Sequence, residues 1–510
     1  MSSKDVSDQF DVVIVGGGSA GAALANRLSA DPARRVLLLE AGRSYASDAF
    51  PEALLDPAQV GTDTEHDWHL VARVDGSGRE VPAPRGKVLG GSSAVNGACE
   101  VRARATDIRE WSAGGVPGWS VDEVTETFRL LENTPTGDDA LHGRSGPFPI
   151  RQRTYAELTP SLRAFIDSSA RLGFARIADF NGAEQHGVGP YPLNLIDEKR
   201  QNTAMVYLTD EVRRRANLTI QADSEVDRLI VEGGPARNTA TGVRTADGYT
   251  YHAGEVILSA GSFGSAGILL RSGIGPAAQL RRHDIDVVAD LPVGLRFQEQ
   301  PFYFNVHALR PEARGMSPAA GALLWTASSE AAPGELDLHI SATHFVDPAI
   351  SPTGGAIVLA VAVTLPDSIG SVGLRSRDPK DGLAINYNFL AEPRDQRRLL
   401  EGVKLSRRIA RDEIMAAVLA SELTPGDDVR DDETLTRVIR EQLAAYQHPT
   451  STAPMGGEDD PWAVVDGSGA VRGIGRLRVV DASIMPRVPS TTTNVTTIML
   501  AEHIARGYYG

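Results

Sequence analysis

The segment that decides the fold runs from Phe10 to Gly42 and reads FDVVIVGGGSAGAALANRLSADPARRVLLLEAG. Val12 to Val15 form an unbroken apolar, β-branched run, as a strand buried on both faces requires. Gly16, Gly18 and Gly21 follow in G-x-G-x-x-G spacing. The first glycine permits a tight turn, the second lets backbone approach a pyrophosphate, and the third lets a helix pack closely on the sheet. The helix that starts here, with Ala22, Ala25 and Leu28 at helical spacing, offers free N–H groups and a positive dipole end to phosphates. A second apolar run, Val36 to Leu39, ends in Glu40, where an acid about 20 residues past the glycines binds a ribose hydroxyl pair. Strand, glycines, helix, strand and acid together predict a dinucleotide site, without distinguishing a nicotinamide from a flavin cofactor.

Working outward, the whole chain of 510 residues is too long for one ordinary core and predicts two or three domains, or one large interleaved pair. With 42% hydrophobic and 23% charged residues it has globular composition. A formal charge of -15 argues against nucleic acid or an anionic membrane surface as main partner. The single cysteine, Cys99, excludes an intrachain disulfide and argues against a cysteine-based zinc site. The opening MSSKDVSDQF lacks the basic start and cleavage site of a secretory leader, and no apolar run approaches the ~20 residues of a membrane helix. A cytoplasmic protein without membrane insertion is expected.

Two further stretches share the small-residue character of the first. PRGKVLGGSSAVNGACEVRA, residues 84–103, has no helical or strand period until its end, yet Val88, Leu89 and Val95 are too apolar for a solvated linker. Such a loop can bring peptide N–H groups against a large planar or charged ligand. GEVILSAGSFGSAGILLRSGIGP repeats the strand-then-glycine pattern, with Val256 to Leu258 as strand, Ala260 to Gly264 as a close-approach turn, and a short helix over Gly267 to Arg271.

With these motifs in order, the chain resembles the glucose–methanol–choline (GMC) oxidoreductases, flavoenzymes that oxidise alcohols. GKVLGGSSAVNG is similar to the family's first signature and GSFGSAGILLRSGIG to its second. RLRVVDASIMPRVPSTTTNVTTIMLAEHIA resembles its C-terminal block, and QHPTSTAPMG its active-site histidine motif. The resemblance implies an α/β fold, α+β overall, with a Rossmann-like FAD-binding domain and a second, mostly antiparallel-sheet substrate domain. It implies FAD, with Gly16, Gly18, Ser19 and Ala20 at the pyrophosphate, Glu40 and Ala41 at the adenosine ribose, and Val226 at the adenine. Gly91, Ser92, Asn96, Gly97 and Ala98 would line the pyrophosphate and flavin ring, with Ala260 in the second signature. Asp481 and Ala482 would lie beside the ribityl-pyrophosphate, and Asn494, Val495 and Thr496 at the pyrimidine end. Some members attach FAD through a histidine in the glycine-serine loop; Val95 stands there, so the FAD is expected to be non-covalent. Other departures are Ala266 in the second signature, Thr496 for a customary proline, and RFQEQP, Arg296 to Pro301, for an NLQDHP-like stretch. The last puts local geometry on the substrate side in question.

Alcohol oxidation removes a hydroxyl proton and a carbon-bound hydride. In the family FAD accepts the hydride at N5, and the protein takes the proton. A histidine suits that task, because its reference pKa of ~6.5 leaves the base form available. By resemblance His448 is the base, and the small Pro449, Thr450, Ser451 and Thr452 leave room beside it. Asn494 reads from periodicity as the N-cap of VTTIMLAEHIA; by resemblance it faces the substrate oxygen as the second catalytic residue. The helix beginning at Val495 would favour negative charge on the nearby flavin edge. Among other histidines, His66 and His69 lack a third ligand and no metal is expected, His503 sits late in the last helix, and either His339 or His344 could face the pocket.

The flavin motifs are scattered, so the flavin domain is expected from residues 1–149, 216–292 and 461–510, and the substrate domain from 150–215 and 293–460. GELDLHISA and GAIVLAVAVTLP read as strands of the latter, PRDQRRLLEGVKLSRRIARDEI as an amphipathic helix, and TPGDDVRDDETLT as an acidic surface turn or helix entry. The expected partners are a small-molecule alcohol and oxygen or another electron acceptor, with oligomeric state open. Alternatives are a non-redox lyase on the same FAD fold, a sugar or glycoside dehydrogenase with a non-oxygen acceptor, and a nicotinamide reductase sharing only the glycine fingerprint.

Overall fold

A computed structural model describes residues 4–61, 65–233 and 238–509, the side chains of 4–8 excepted. Residues 1–3, 62–64, 234–237 and 510, which fall within the expected flavin domain, lie outside that description.

The strand Lys4–Val15 occupies the middle of an eight-stranded sheet, flanked by Val36–Leu39 and Tyr249–Leu258. Both neighbours run parallel to it, with Val13 opposite Leu37 on one side and Val256 on the other. This explains the unbroken apolar run: Val12, Val13, Ile14 and Val15 are all buried. Side chains of this size each stabilise the fold by ~1.5–3 kcal/mol on burial. Leu218–Gln221 extends the sheet in parallel beyond Val36–Leu39. Tyr249–Leu258 divides its other edge: its first half pairs antiparallel with Asn238–Thr245, its second half parallel with Leu477–Val479. The sheet thereby joins chain segments more than 200 residues apart.

Gly16 turns the chain out of the first strand at φ +97°, and the helix Ser19–Leu28 follows. A side chain at Gly21 would overlap the Gly16 carbonyl, so a glycine is required where the helix crosses the strand end. This helix packs along the final helix, Asn494–Tyr509.

A second sheet of seven strands is wholly antiparallel. Its order is Leu419–Thr424, Pro301–Leu309, Ala356–Val363, Leu338–Thr343, Ala322–Thr326 and Gly187–Pro190, with Ala444–Ala445 beside the start of Pro301–Leu309. One face is covered by the helix Pro393–Ala410. Gly402 of that helix lets it approach closely: a Cβ there would come within 2.6 Å of Val361 Cγ1. The acidic tract after it is a helix entry, with Asp431 accepting from the Thr434 N–H at 2.8 Å to cap Asp432–Gln442. A four-stranded sheet joins Val71–Arg73 and Glu80–Pro82 to Ser371–Leu374 and Leu383–Asn386, linking an N-terminal segment to a late one.

Candidate active site

Two glycine loops meet above the C-terminal end of the first strand. The Gly90 N–H donates to the Gly17 carbonyl at 2.8 Å, and a Cβ added to Gly91 would stand only 2.7 Å from Gly18 Cα. Gly91 also has φ +53°, and Gly91–Ala94 forms a short 3₁₀ turn inside the loop read as aperiodic. Gly16, Gly18, Ser19, Ser92, Asn96 and Gly97 keep partial exposure beside the buried Ala20, Gly91 and Ala98. First-turn N–H groups of the helix Ser19–Leu28 have no acceptor within the helix.

Glu40 is buried behind these loops, accepting from the Gly17 and Gly42 N–H groups at 2.8 Å each. Burial, opposed by those hydrogen bonds and by Lys87, holds its carboxyl up at about 7. Ala41 lies between Glu40 and Gly42 in the same turn, and the Ser224 N–H donates to the Glu40 carbonyl at 2.8 Å. That contact brings buried Val226, two residues on, to this end of the cradle. At the other end the helix Gly261–Arg271 begins directly after Ala260, several residues earlier than the glycine pattern predicted. Asp481 anchors it, accepting from the Gly261 N–H at 2.9 Å and Ser265 Oγ at 2.5 Å, while its second oxygen takes the Ser483 N–H and hydroxyl. The Ala482 carbonyl accepts from the Ser451 N–H at 3.3 Å, tying this turn to the histidine loop.

Asn494 is the first residue of the last helix, and its side chain does not cap that helix. Its Oδ1 accepts from Ser19 Oγ at 2.6 Å and its Nδ2 donates to Glu100 Oε1 at 2.7 Å. The N-cap reading fails because the amide is drawn sideways into these two partners. Val495 and Thr496 behind it are buried, and Thr496 Oγ1 accepts from the Ala103 N–H at 3.1 Å. Glu100, which the sequence reading passed over, is wholly buried. Burial raises its carboxyl to about 8 against the lowering effect of Asn494, Asn96 and the Val495 peptide. Its Oε2 has no well-formed hydrogen bond.

His448 is half-buried in the loop between the strand Ala444–Ala445 and the Asp481 turn. Its loop lies against Gln298–Gln300: the Tyr446 N–H donates to the Gln300 carbonyl at 3.0 Å, and Thr450 and Gln298 exchange peptide hydrogen bonds. Glu299 Oε1 accepts from the His448 peptide N–H at 2.8 Å. Gln300 Oε1 stands 2.7 Å from His448 Nδ1, while Gln300 Nε2 donates to the Thr364 and Pro489 carbonyls at 2.8 and 2.9 Å. With the amide nitrogen committed to carbonyls, Oε1 is fixed as an acceptor and Nδ1 must carry the proton. That leaves Nε2 as the free basic nitrogen. Burial, with Arg85 adding to it, pushes the imidazole pKa down to about 3. Arg85 donates to the Gln447 carbonyl at 3.0 Å and approaches Glu299 to 4.0 Å. The Tyr446 ring lies 4.4 Å from the His448 ring.

Of the two histidines weighed for the pocket, His339 is the one turned toward this cluster. Its Nδ1 stands 3.5 Å from Tyr446 Oη, its Nε2 has no hydrogen bond, and burial together with His448 drives its pKa well down. His344 instead bonds the Ala356 carbonyl at 2.8 Å and Thr159 Oγ1 at 3.0 Å in the sheet packing. His66 is bonded to Tyr45 Oη at 2.8 Å, and His503 to the Gly118 carbonyl at 2.6 Å. Among the described residues no group of three or more His, Cys, Asp or Glu side chains is arranged to hold a metal, and no helix is long and apolar enough to cross a membrane. Gln300 lies in the departing RFQEQP stretch, so that departure carried the signal for the partner of His448; Tyr446 and Glu100 had no comparable signal.

Two family models, both described as GMC oxidoreductase, match the chain over residues 10–302 and 366–501. The chain is 34% identical to an oxygen-dependent choline dehydrogenase of Rhizobium etli, over 98% of this chain and 95% of that one. It is 36% identical to a 5-(hydroxymethyl)furfural oxidase of Methylovorus sp., over 97% and 98%. The crystal structure of a pyridoxine 4-oxidase from Mesorbium loti superposes with a TM-score of 0.89 at 32% identity, covering 98% of this chain and 99% of that one.

Proposed function

The chain belongs to the GMC oxidoreductases, and from that premise we propose that it oxidises a primary or secondary alcohol to the aldehyde or ketone, with FAD bound non-covalently and His448 as general base. The observation that carries this reading is the orientation of His448: Gln300 fixes the proton on Nδ1 and leaves Nε2 as an unprotonated acceptor. Nε2 takes the hydroxyl proton of the substrate, which spares the reaction a free alkoxide.

The facing glycines support FAD as the ligand of the cradle. Gly18 and Gly91 approach so closely that a Cβ on Gly91 would fill the space, and the first turn of Ser19–Leu28 offers peptide N–H groups to a pyrophosphate. Glu100, buried beside Asn494 and the Val495 peptide, adds a carboxyl whose Oε2 has no well-formed hydrogen bond. Bound there, FAD supplies the two-electron acceptor for the carbon-bound hydride. Gly16, Gly18, Ser19, Ala20, Gly91, Ser92, Asn96, Gly97 and Ala98 hold its pyrophosphate and ring side, Glu40, Ala41 and Val226 its adenosine, and Ala260, Asp481 and Ala482 its ribityl side. Asn494, with Val495 and Thr496, acts at the pyrimidine end, and its amide couples the Ser19 hydroxyl to Glu100. The segments 1–149, 216–292 and 461–510 form the flavin domain in this reading, and 150–215 and 293–460 the substrate domain.

Anaerobic addition of an alcohol panel to the purified holoenzyme tests the proposal. Bleaching of the oxidised flavin with aldehyde or ketone formed supports it. Product formed with the yellow colour unchanged would make the protein a lyase instead. Peroxide yield against dye reduction then assigns oxygen or another acceptor.

A further inference from the structure

Glu100 stands against the first turn of the last helix with no exposed surface. Its Oε1 accepts from Asn494 Nδ2 at 2.7 Å, and the Asn96 amide and the Val495 peptide N–H also bond to its carboxyl. Both amides are held in one orientation. Asn494 Oδ1 is taken by Ser19 Oγ at 2.6 Å and Asn96 Oδ1 by the Ala98 N–H at 3.0 Å, so each turns its nitrogen to Glu100. The main chain pins the acid in place: the Glu100 N–H donates to the Pro192 carbonyl, and Asn181 Nδ2 to the Glu100 carbonyl, at 2.9 Å each.

The donors on this carboxyl are all neutral, and the cations of neighbouring segments are committed elsewhere. Arg102, two residues on, is held by Glu132 and the Leu141 carbonyl, and Arg153 by Glu198. The adjacent Cys99 thiol is pushed up by burial and by Glu100, so it stays protonated. Burial therefore outweighs the three donors and raises the Glu100 carboxyl to about 8. Its two forms act oppositely on the site. The carboxylate opposes the positive end of the helix Asn494–Tyr509, whereas the neutral acid leaves that end positive. Ser19, Asn96 and Asn494 around it keep partial exposure, so a proton has a short path from solvent.

We propose that Glu100 is a positioning residue that tunes the cofactor: it orients Asn494, and its carboxylate takes up one proton from solvent when the bound FAD is reduced. The electrons and one proton arrive as hydride from the alcohol carbon, and His448 takes the hydroxyl proton. Glu100 takes a separate proton, so the negative charge added to the site is cancelled within it. The acid form is already present below the Glu100 pKa, and there reduction draws no extra proton. Above it the carboxylate opposes the new charge until it is protonated. The assignment rests on the reading that puts the pyrimidine end of FAD at Asn494.

The test has two arms on the FAD-loaded protein, and neither needs a substrate. Glu100→Gln keeps an acceptor oxygen toward Asn494 and cannot ionise. Sulfite, which adds to oxidised flavin and leaves it negatively charged, is expected to bind the two proteins within about threefold at pH 6.5. At pH 9.5 it is expected to bind Glu100→Gln at least 10-fold more tightly than the unaltered protein. In the second arm the midpoint potential of the unaltered protein is followed from pH 6 to 10. It should fall more steeply above pH 8 by about 30 mV per unit, one extra proton per two electrons, and Glu100→Gln should not show the break. Ser19→Ala loosens Asn494 without altering charge, and its potential should differ from the unaltered protein by the same amount at every pH. Equal sulfite affinities at pH 9.5, a break that survives in Glu100→Gln, or a Ser19→Ala offset that grows with pH as that of Glu100→Gln does overturns the proposal. Should Glu100→Gln hold no FAD, the unaltered protein decides: a slope that stays constant to pH 10 overturns it. A purified chain that takes up no FAD removes the cradle assignment, and this inference with it.

Discussion

Gln300 Oε1 lies 2.7 Å from His448 Nδ1, and the Gln300 amide nitrogen is held by two main-chain carbonyls that forbid the amide to flip. The glutamine thus selects the imidazole tautomer without itself changing charge. Gln300→Leu removes the acceptor and is expected to slow flavin reduction by ~10²-fold, within the range expected when a base loses its alignment. Gln300→Glu keeps an acceptor but adds a negative charge at contact distance, which favours the imidazolium and raises the His448 pKa. Its rate profile should therefore lose activity at higher pH than the unaltered protein, while flavin content stays constant. Identical pH profiles for the two would contradict the assignment.

The pH dependence of the unaltered protein follows from the same surroundings. The reactive form of His448 is the free base, present above its pKa, and burial with Arg85 lowers that pKa to about 3. Flavin reduction by a non-ionising alcohol should then hold level from pH 8 to 5, rather than halve near the ordinary histidine value of ~6.5. Arg85, Glu299, His339 and Tyr446 are the charged or titratable groups near the ring. Of these Glu299, raised to about 7 by burial, titrates inside the window. Glu299→Gln should erase any inflection near neutrality and leave the acid limb where it was.

Gly91 tests the cradle. Its φ of +53° and the 2.7 Å that would separate an added Cβ from Gly18 Cα leave no space for a methyl group. Gly91→Ala is expected to yield folded protein poor in flavin, read as a fall in the 450 nm to 280 nm absorbance ratio with unchanged far-ultraviolet circular dichroism. Full flavin occupancy would show that the two loops do not frame the cofactor.

Val95 bears on attachment. A buried valine offers no nucleophile to the flavin ring, so acid precipitation should release all the yellow chromophore to the supernatant. Colour remaining with the pellet would contradict non-covalent binding.

How far the sequence announced this arrangement depends on the range of the interaction. Val12 to Leu28 were legible because strand burial, glycine turn and helix are local and each has its own period. The strands Leu338–Thr343 and Ala356–Val363 and the helix Pro393–Ala410 were readable for the same reason. Their pairing was not, since register between strands tens of residues apart leaves no mark in either strand alone. Asn494 illustrates the limit at the site: periodicity made it a cap, yet Ser19, 475 residues away in sequence, and Glu100 claim its amide. Glu100 itself reads as an ordinary acid at the end of a loop; only burial against the last helix makes it unusual. Alternation set His339 and His344, five residues apart, on opposite faces without saying which face met the pocket; the contact with Tyr446 singles out His339.

The most direct test of the central claim is rapid-mixing reduction of the FAD-loaded His448→Ala protein by a good alcohol substrate under nitrogen. Loss of the base should slow flavin bleaching by ~10²–10⁴-fold with cofactor content unchanged. Bleaching at the rate of the unaltered protein, with FAD fully bound, would contradict it.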